Sequence, residues 1–271
     1  MSAQAESVGL RRSKLAELRL VARQVRYEQL SFWLNPIGAI FTVGFSLLFL
    51  VLLGASAGAS RVGYLHNIKL IQYYVPGFIA YGVMSAAFNS LAISLVIRRE
   101  TGLLKRLRLS PLPTWTLLTS ILLSTLLIAF AQVVLMLAVG RWAFGVHLPS
   151  GVSGIGALIA VLVVGALSFA ALGIAMSTVI PNQQAAGPIT STVFFVLLFL
   201  SGLWFPLKSG STLAKISTWF PIRHFIDAVF RTFSHPGVSP FAAHDLLIVV
   251  IWGAAGAVIA VRRFQWAPRQ S

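Results

Sequence analysis

From residue 36 onward the chain is divided into six apolar runs by short polar or charged breaks. The runs cover about Pro36 to Leu53, Val75 to Ile97, Trp115 to Val139, Val152 to Val179, the stretch from Pro188 to about Leu203, and Leu246 to Val261. Within each run whole helical turns are apolar on every face, which is not the one-sided pattern of a helix on a soluble core. The lengths approach the roughly 20 residues that a helix needs to cross the hydrocarbon of a bilayer. The runs do not alternate apolar and polar residues in segments of about 10, as transmembrane β-strands do. The predicted fold class is therefore an all-α integral membrane protein with six transmembrane helices.

The breaks carry the remaining local information. Before the first run, Leu15, Leu18, Ala22 and Val25 recur at helical spacing, followed by Leu30, Trp33 and Leu34, with Arg11, Arg12, Lys14, Arg19, Arg23 and Arg26 interspersed. This pattern predicts an amphipathic helix within residues 1–35, lying in the membrane interface with its cations on lipid headgroups. The first apolar run begins too late, and lacks the small-residue site, for a cleavable signal peptide. Gly54 to Tyr74 reads as a polar loop with Arg61, His66 and Lys69, and Arg141, His147 and Pro149 mark a short turn. Pro181 to Pro188 reads as a tight polar turn. In residues 204–244 the aromatics Trp204, Phe205, Trp219, Phe220, Phe225, Phe230 and Phe233 alternate with Lys208, Lys215, Arg223, His224 and Arg231, and Pro206 and Pro221 punctuate them. Two amphipathic segments of about 10 to 15 residues are predicted here, too short and too charged to span. They read as interfacial or re-entrant helices on the outer side, and residues 36–271 as one six-span domain.

Composition agrees, with 57% hydrophobic and 10% charged residues and a mean hydropathy of +0.86. The net charge of +15 raises the possibility of nucleic-acid binding. The cations, however, cap apolar runs instead of forming one basic face, so the expected partner is the lipid bilayer and not nucleic acid. With the N-terminus inside, segments predicted to be internal hold fourteen Lys and Arg (six in 11–26, five in 98–108, three in the C-terminal tail) against seven outside. The positive-inside rule thus predicts both termini in the cytoplasm of a multi-pass cell-membrane protein, the plasma or inner membrane. There is no cysteine, which excludes disulfides, iron–sulfur clusters and thiol catalysis.

A catalytic constellation is hard to find. The only carboxylates are Glu6, Glu17, Glu28, Glu100, Asp227 and Asp245, and none lies in the middle of an apolar run. A proton relay built from acidic side chains within the membrane is therefore missing. His224 and Asp227, three apart, can share a helical face, whereas the adjacent His244 and Asp245 point apart and make a weak metal pair. No Gly-x-x-x-x-Gly-Lys-Ser/Thr string is present to cradle a nucleotide. Neither a catalytic residue nor a metal site is expected, and no cofactor in this chain. The alternative is a membrane-embedded lipid-modifying enzyme using His224, Asp227 and Arg223 at the outer leaflet.

The strongest local signal lies between the second and third runs: Arg98-Arg99-Glu100-Thr101-Gly102-Leu103-Leu104-Lys105-Arg106-Leu107-Arg108-Leu109-Ser110-Pro111-Leu112-Pro113. Gly102 permits a sharp change of direction, and Pro111 and Pro113 stop the following helix. Leu103, Leu104 and Leu107 offer an apolar ridge with Lys105, Arg106 and Arg108 beside it, suited to docking in a groove; the plainer alternative is a topology-setting basic loop. This string resembles the loop of type-2 ATP-binding-cassette (ABC-2-type) exporter permeases, a basic-Glu-x-Gly-x-Leu-basic-x-Leu pattern followed by proline. Leu200-Ser201-Gly202-Leu203-Trp204-Phe205-Pro206-Leu207 and Trp219-Phe220-Pro221-Ile222-Arg223-His224 resemble the segment after span five in the drug and antibiotic efflux branch of that family. The resemblance implies a permease subunit that pairs with a second copy or a sister chain, forming a homodimer or a related heterodimer. It also implies a separate cytoplasmic ATP-binding-cassette ATPase, carrying the ATP and Mg, into which residues 98–114 insert as a coupling loop. The residues so implied are Arg98, Arg99, Glu100, Gly102, Leu103, Leu104, Lys105, Arg106, Leu107, Arg108 and Pro111. Trp204, Phe205, Pro206, Trp219, Phe220, Pro221 and His224 are implied as an outer gate, and the substrate as a hydrophobic or amphipathic drug, antibiotic or lipid.

The cation count yields a direct expectation for topology. Tags after residue 20, within 98–113 and at the C-terminus should be reached only from the cytoplasm, and tags near 66 and 210 only from outside. An externally labelled tag within 98–113 contradicts the orientation.

Overall fold

The structure, a computed structural model, describes residues 14–57, 60–62, 68–109, 114–149, 151–204, 211–233 and 239–264. The fold is helical apart from a two-residue antiparallel ladder of β1 (Arg61–Val62) and β2 (Ile68–Lys69). Among the described residues, six helices are long and apolar enough to cross a membrane. They are α2 (Pro36–Ser56), α3 (Leu70–Glu100), α5 (Trp115–Phe144, preceded by Thr114), α6 (Gly151–Ser177), α7 (Gln183–Leu200) and α10 (Ala243–Arg263). Between them lie α4 (Leu103–Leu109), α8 (Thr212–Ser217) and α9 (Pro221–Thr232), and α1 (Lys14–Trp33) precedes them all.

Helix α3 is the hub. Over its apolar stretch 78% of residues are buried inside the protein, against 22% for α7 and for α10. Tyr74, Phe78, Ile79, Val83, Met84, Leu91 and Leu95 all belong to the main core. Halfway along, Ser85–Ser90 widens into a π-helical turn, and a second π turn, Ile40–Gly44, interrupts α2. Such single turns carry one residue more than the α-helical ladder accommodates. Beside them Gln132 of α5, 1% exposed, donates to Ser46 Oγ at 2.6 Å and to the Thr42 carbonyl at 3.3 Å. This polar tie binds α2 to α5 where no water competes, and it faces Gly82, where a Cβ would lie 2.1 Å from Gln132 Nε2. Small residues bring the other helices equally close: a Cβ on Gly256 of α10 would stand 2.9 Å from the Leu172 nitrogen of α6. Where lipid removes the hydrophobic drive between helices, such backbone approach supplies the packing.

Several boundaries differ from those read in the sequence. The polar segment after the first run is shorter, because the helix of α3 already begins at Leu70, ahead of its apolar stretch. At its other end α3 carries Arg98, Arg99 and Glu100 as its last turn instead of releasing them into a loop. The proposed turn 181–188 is mostly helix: Asn182 Oδ1 accepts from the Ala185 nitrogen at 2.9 Å and starts α7 at Gln183. Pro188 then lies inside α7, forfeiting one ladder bond in the second turn. The two short segments after α7 have 6 and 12 residues. Helix α9 is held by more than an interface, since Phe225, Ile226 and Val229 enter the main core and Phe225 fills the space over Gly165. On α1, Val21 and Glu28 are buried against the bundle, whereas Leu18 and Ala22 of the apolar stripe are exposed. The bundle-facing side is anchored by polar contacts, as Gln29 Nε2 donates to the Ser124 hydroxyl and carbonyl of α5, both at 2.9 Å.

Gly173 shows how tight the frame is. A Cβ there would lie 2.8 Å from the Ala87 carbonyl oxygen and 2.9 Å from that of Phe88, both backbone atoms of the α3 π turn. Gly173→Ala should destabilise the purified protein by about 1–3 kcal/mol, the usual cost of overpacking. Gly156→Ala, with nothing within 4 Å of the new atom, should leave the melting temperature of the detergent-solubilised chain unchanged or slightly raised.

Candidate functional site

The end of the bundle that carries α1 and the junction of α3 with α4 holds two ion pairs, Arg98 with Glu28 and Arg99 with Glu100. The junction is a shaped turn. Thr101 closes α3, its N–H and its hydroxyl both donating to the Ile97 carbonyl at 2.9 Å. Gly102 then adopts φ +72°, the left-handed region that glycine enters without a Cβ penalty. Its N–H donates to the Arg99 carbonyl at 3.0 Å, and its own carbonyl accepts from Arg106 at 3.1 Å, which sets the start of α4.

The two arginines before the turn diverge. Arg98 reaches α1 and grips Glu28 with both guanidinium nitrogens, at 2.7 and 2.5 Å, a bidentate geometry among the stronger of ion pairs. Arg99 turns inward and is 3% exposed. It donates to the Ser177 carbonyl at 3.0 Å and the Ile180 carbonyl at 2.7 Å, at the C-terminal end of α6, and Nε holds Glu100 at 2.7 Å. Carbonyls left over at a helix C-terminus carry partial negative charge, which a buried cation offsets. Glu100 is therefore the partner of its neighbour; it neither caps α4 nor stands as a free carboxylate.

The apolar ridge expected on α4 is divided between inside and outside. Leu104 is 1% exposed and belongs to the main core; with Leu95, Arg99, Ser177, Thr178 and Phe264 it lines a closely packed gap. Leu107 is half-buried, while Leu103, Lys105, Arg106 and Leu109 face outward. Leu104 thus belongs to the core and not to an outward ridge, while Leu109, 79% exposed, has the highest exposure of the α4 leucines. The side chain of Arg108 and the residues Pro111, Phe205 and Pro206 lie outside the described residues. Beside α4 a cavity of about 680 Å³ opens between α1, α2 and α3, its lining mixing Gln24, Tyr27 and Asn89 with Phe41, Ile97 and Leu107.

The opposite end gathers the predicted aromatic residues unevenly. Trp204 is half-buried, edge-on to Phe49 at 4.6 Å and to Phe78 at 6.0 Å, whereas Trp219 is 78% exposed. Phe220 stacks on Trp252, and Pro221 opens α9 at its first helical position. The turn before Trp204 is held from two directions: Tyr73 donates its hydroxyl to the Gly202 carbonyl at 2.7 Å, and Arg223 reaches the Ser201 carbonyl at 3.4 Å. Gly202 sits at φ +79°. His224 and Asp227 do not pair with each other. Arg223 Nε donates to Asp227 at 2.7 Å, and His224 Nδ1 meets Asp245 of α10 at 2.7 Å. Burial pushes the Asp227 carboxyl up, and the Arg223 charge and hydrogen bond oppose that rise.

Glu28 and Asp245 are the residues that sequence reasoning missed, and both act from a different helix. Glu28 carried a faint signal as a carboxylate among the arginines of α1; Asp245 had only its adjacent histidine. Leu104 provides the test of this arrangement. Leu104→Ala should destabilise the isolated chain by about 2–5 kcal/mol, as a buried leucine truncation does, whereas Leu109→Ala should leave its melting temperature unchanged. Thermal unfolding of the two purified variants without any partner separates these outcomes.

Comparison with known proteins agrees with this architecture. A family model described as ABC-2 family transporter protein matches residues 63–262. Over 168 residues the chain is 27% identical to the probable multidrug ABC transporter permease YbhR of Escherichia coli (strain K12), an alignment covering 62% of this chain and 45% of YbhR. Over 157 residues it is 26% identical to the putative transport permease YvfS of Bacillus subtilis (strain 168), covering 56% of this chain and 62% of YvfS. The chain thus spans less than half the length of YbhR. The match to the family model takes in the α3–α4 junction, five of the six spans and both short helices, and the chain belongs to the ABC-2 family of transporter proteins.

Proposed function

We propose that this chain is the permease subunit of an exporter driven by a separate ATP-binding-cassette ATPase, moving a hydrophobic or amphipathic substrate such as a drug, an antibiotic or a lipid. The observation that carries the reading is the two-sided build of α4. Its inner side is anchored by Leu104 and the Arg99 clamp, while Leu103, Lys105, Arg106 and Leu109 are presented outward. A helix held rigidly at its base and displaying exposed leucines with cations suits a groove on a cytoplasmic ATPase, with the basic end of the bundle inside the cell. Its movement would be shared with α1 through Glu28 and with α6 through the carbonyls that Arg99 holds. A second copy of the chain, or a related one, completes the transport path. The name of YbhR supports a multidrug substrate class. The lipid-modifying alternative loses support, because both ring nitrogens of His224 are engaged, by Asp245 and by the Thr218 carbonyl at 2.9 Å, and Arg223 is engaged by Asp227.

Reconstitution with the ATPase that co-purifies with the chain tests the proposal. Arg106→Glu and Lys105→Glu should weaken association in a salt-dependent way, since exposed charges act mainly on encounter. Leu109→Ala should lower co-purification while leaving the fold intact. Glu100→Gln should retain assembly but reduce transport per ATP, because it loosens the Arg99 clamp at the base of α4. Normal assembly and transport in all four variants would reduce this segment to a topology signal.

A further inference from the structure

The polar cluster where α9 meets the start of α10 has a feature that transport coupling does not use. His224, on α9, is buried, and Asp245 is partly exposed in the first turn of α10. His244, beside Asp245, is 80% exposed at the side chain. The Thr218 carbonyl, 2.9 Å from His224 Nε2, can only accept, so that nitrogen carries the proton. Nδ1, the other ring nitrogen, points at Asp245 Oδ1, 2.7 Å away. A ring nitrogen and a carboxylate oxygen converging at that distance share one positive centre, a proton or a metal ion. The one nearby guanidinium among the described residues with a bonded partner in this cluster, Arg223, is taken by Asp227. His244 adds a third donor: its Nδ1 lies 3.9 Å from the same carboxylate oxygen. One ligand atom from each of the three side chains lies within 4.8 Å of the other two.

We propose that His224, His244 and Asp245 form a binding site for a divalent transition-metal ion, Zn²⁺ by donor type, that fastens α9 to α10. Two imidazoles and one carboxylate are a common donor set for zinc, with bond lengths of about 2.0–2.2 Å. A tetrahedral ion would separate His224 Nδ1 and Asp245 by about 3.3 Å, a small opening of the present contact. The Thr218 carbonyl already has the place of the outer partner that fixes a metal-bound histidine through its other nitrogen. His224 is anchored on a helix packed in the core, Asp245 is set by the first turn of α10, and the exposed His244 has the freedom to close the set. A proton between His224 and Asp245 is the competing occupant, and it makes no use of His244.

The experiment uses the full chain, purified through a tag without histidine, stripped with chelator and placed in lipid nanodiscs. Titration with Zn²⁺ should show one ion per chain, and Co²⁺ should give the intense visible absorption of a tetrahedral site. His244→Ala should weaken Zn²⁺ binding at least tenfold, abolish the Co²⁺ band and melt at the wild-type temperature without metal. Zn²⁺ should raise the melting temperature of the wild type and not that of His244→Ala. Asp245→Asn should behave like His244→Ala toward metal, and His147→Ala should be unaffected. Absence of stoichiometric binding, or equal affinity in wild type and His244→Ala, overturns the site and leaves the proton-bridged pair. Neither result bears on ATPase docking at α4, which lies at the other end of the bundle.

Discussion

A single buried guanidinium fixes the end of the molecule from which the rest is positioned. Arg99 is almost fully enclosed, yet each of its contacts is to a group with negative character: Glu100 and the closing carbonyls of α6. A charge removed from water is tolerated only when its hydrogen-bonding capacity is filled. The last turn of α3 is therefore not free to fray, and the α6–α7 connection cannot drift from it. Because α3 is also the most enclosed span, a constraint at its end is transmitted to the helices packed around it.

The same rule governs the interior. Apolar packing among spans has little drive in lipid, so contacts are specified by close backbone approach and by polar side chains that must find partners. Gln132 with Ser46 and Thr42 supplies this for α2 and α5, and Gly173 and Gly256 supply the close approach for α3, α6 and α10. At the two ends, where helices emerge, charged groups take over: Glu28 paired with Arg98 on one side, Asp227 paired with Arg223 on the other, with the His224–Asp245 contact beside it. The charged groups are few, and these pairs tie helices distant in sequence or successive turns of α9.

The spans were legible because membrane burial acts on every residue of a run, so the signal adds up over about 20 positions. The turn at Gly102 was legible for a local reason, since glycine and the flanking charges announce a change of direction within three residues. Pairings across 70 or 81 residues, such as Arg98 with Glu28 or Arg99 with the Ile180 carbonyl, leave no such trace. Charge alone did not reveal which of two adjacent arginines would turn inward. Leucine spacing on α4 correctly marked a helix but left open which leucines the protein keeps for its own core, because three-dimensional packing makes that choice. The segment 181–188 misled because proline and asparagine read as breakers, whereas here one caps a helix and the other sits early within it. His224 and Asp227 misled in the opposite way, as helical spacing brought them to neighbouring positions while stronger partners waited on either side.

The π turn at Ser85–Ser90 bears on how the chain tolerates change in length. It holds one residue beyond α-helical register, in the manner of an insertion absorbed without breaking the span. Everything beyond it, including Arg98 and Arg99, owes its azimuth around the axis to that surplus. Deleting one residue there would give a more regular helix and yet turn its far end by about 100°, since 3.6 residues make a full turn. Arg98 would swing off Glu28 and Arg99 off the α6 carbonyls. The irregular middle of α3 is thus the gauge that sets the rotational phase of its charged end.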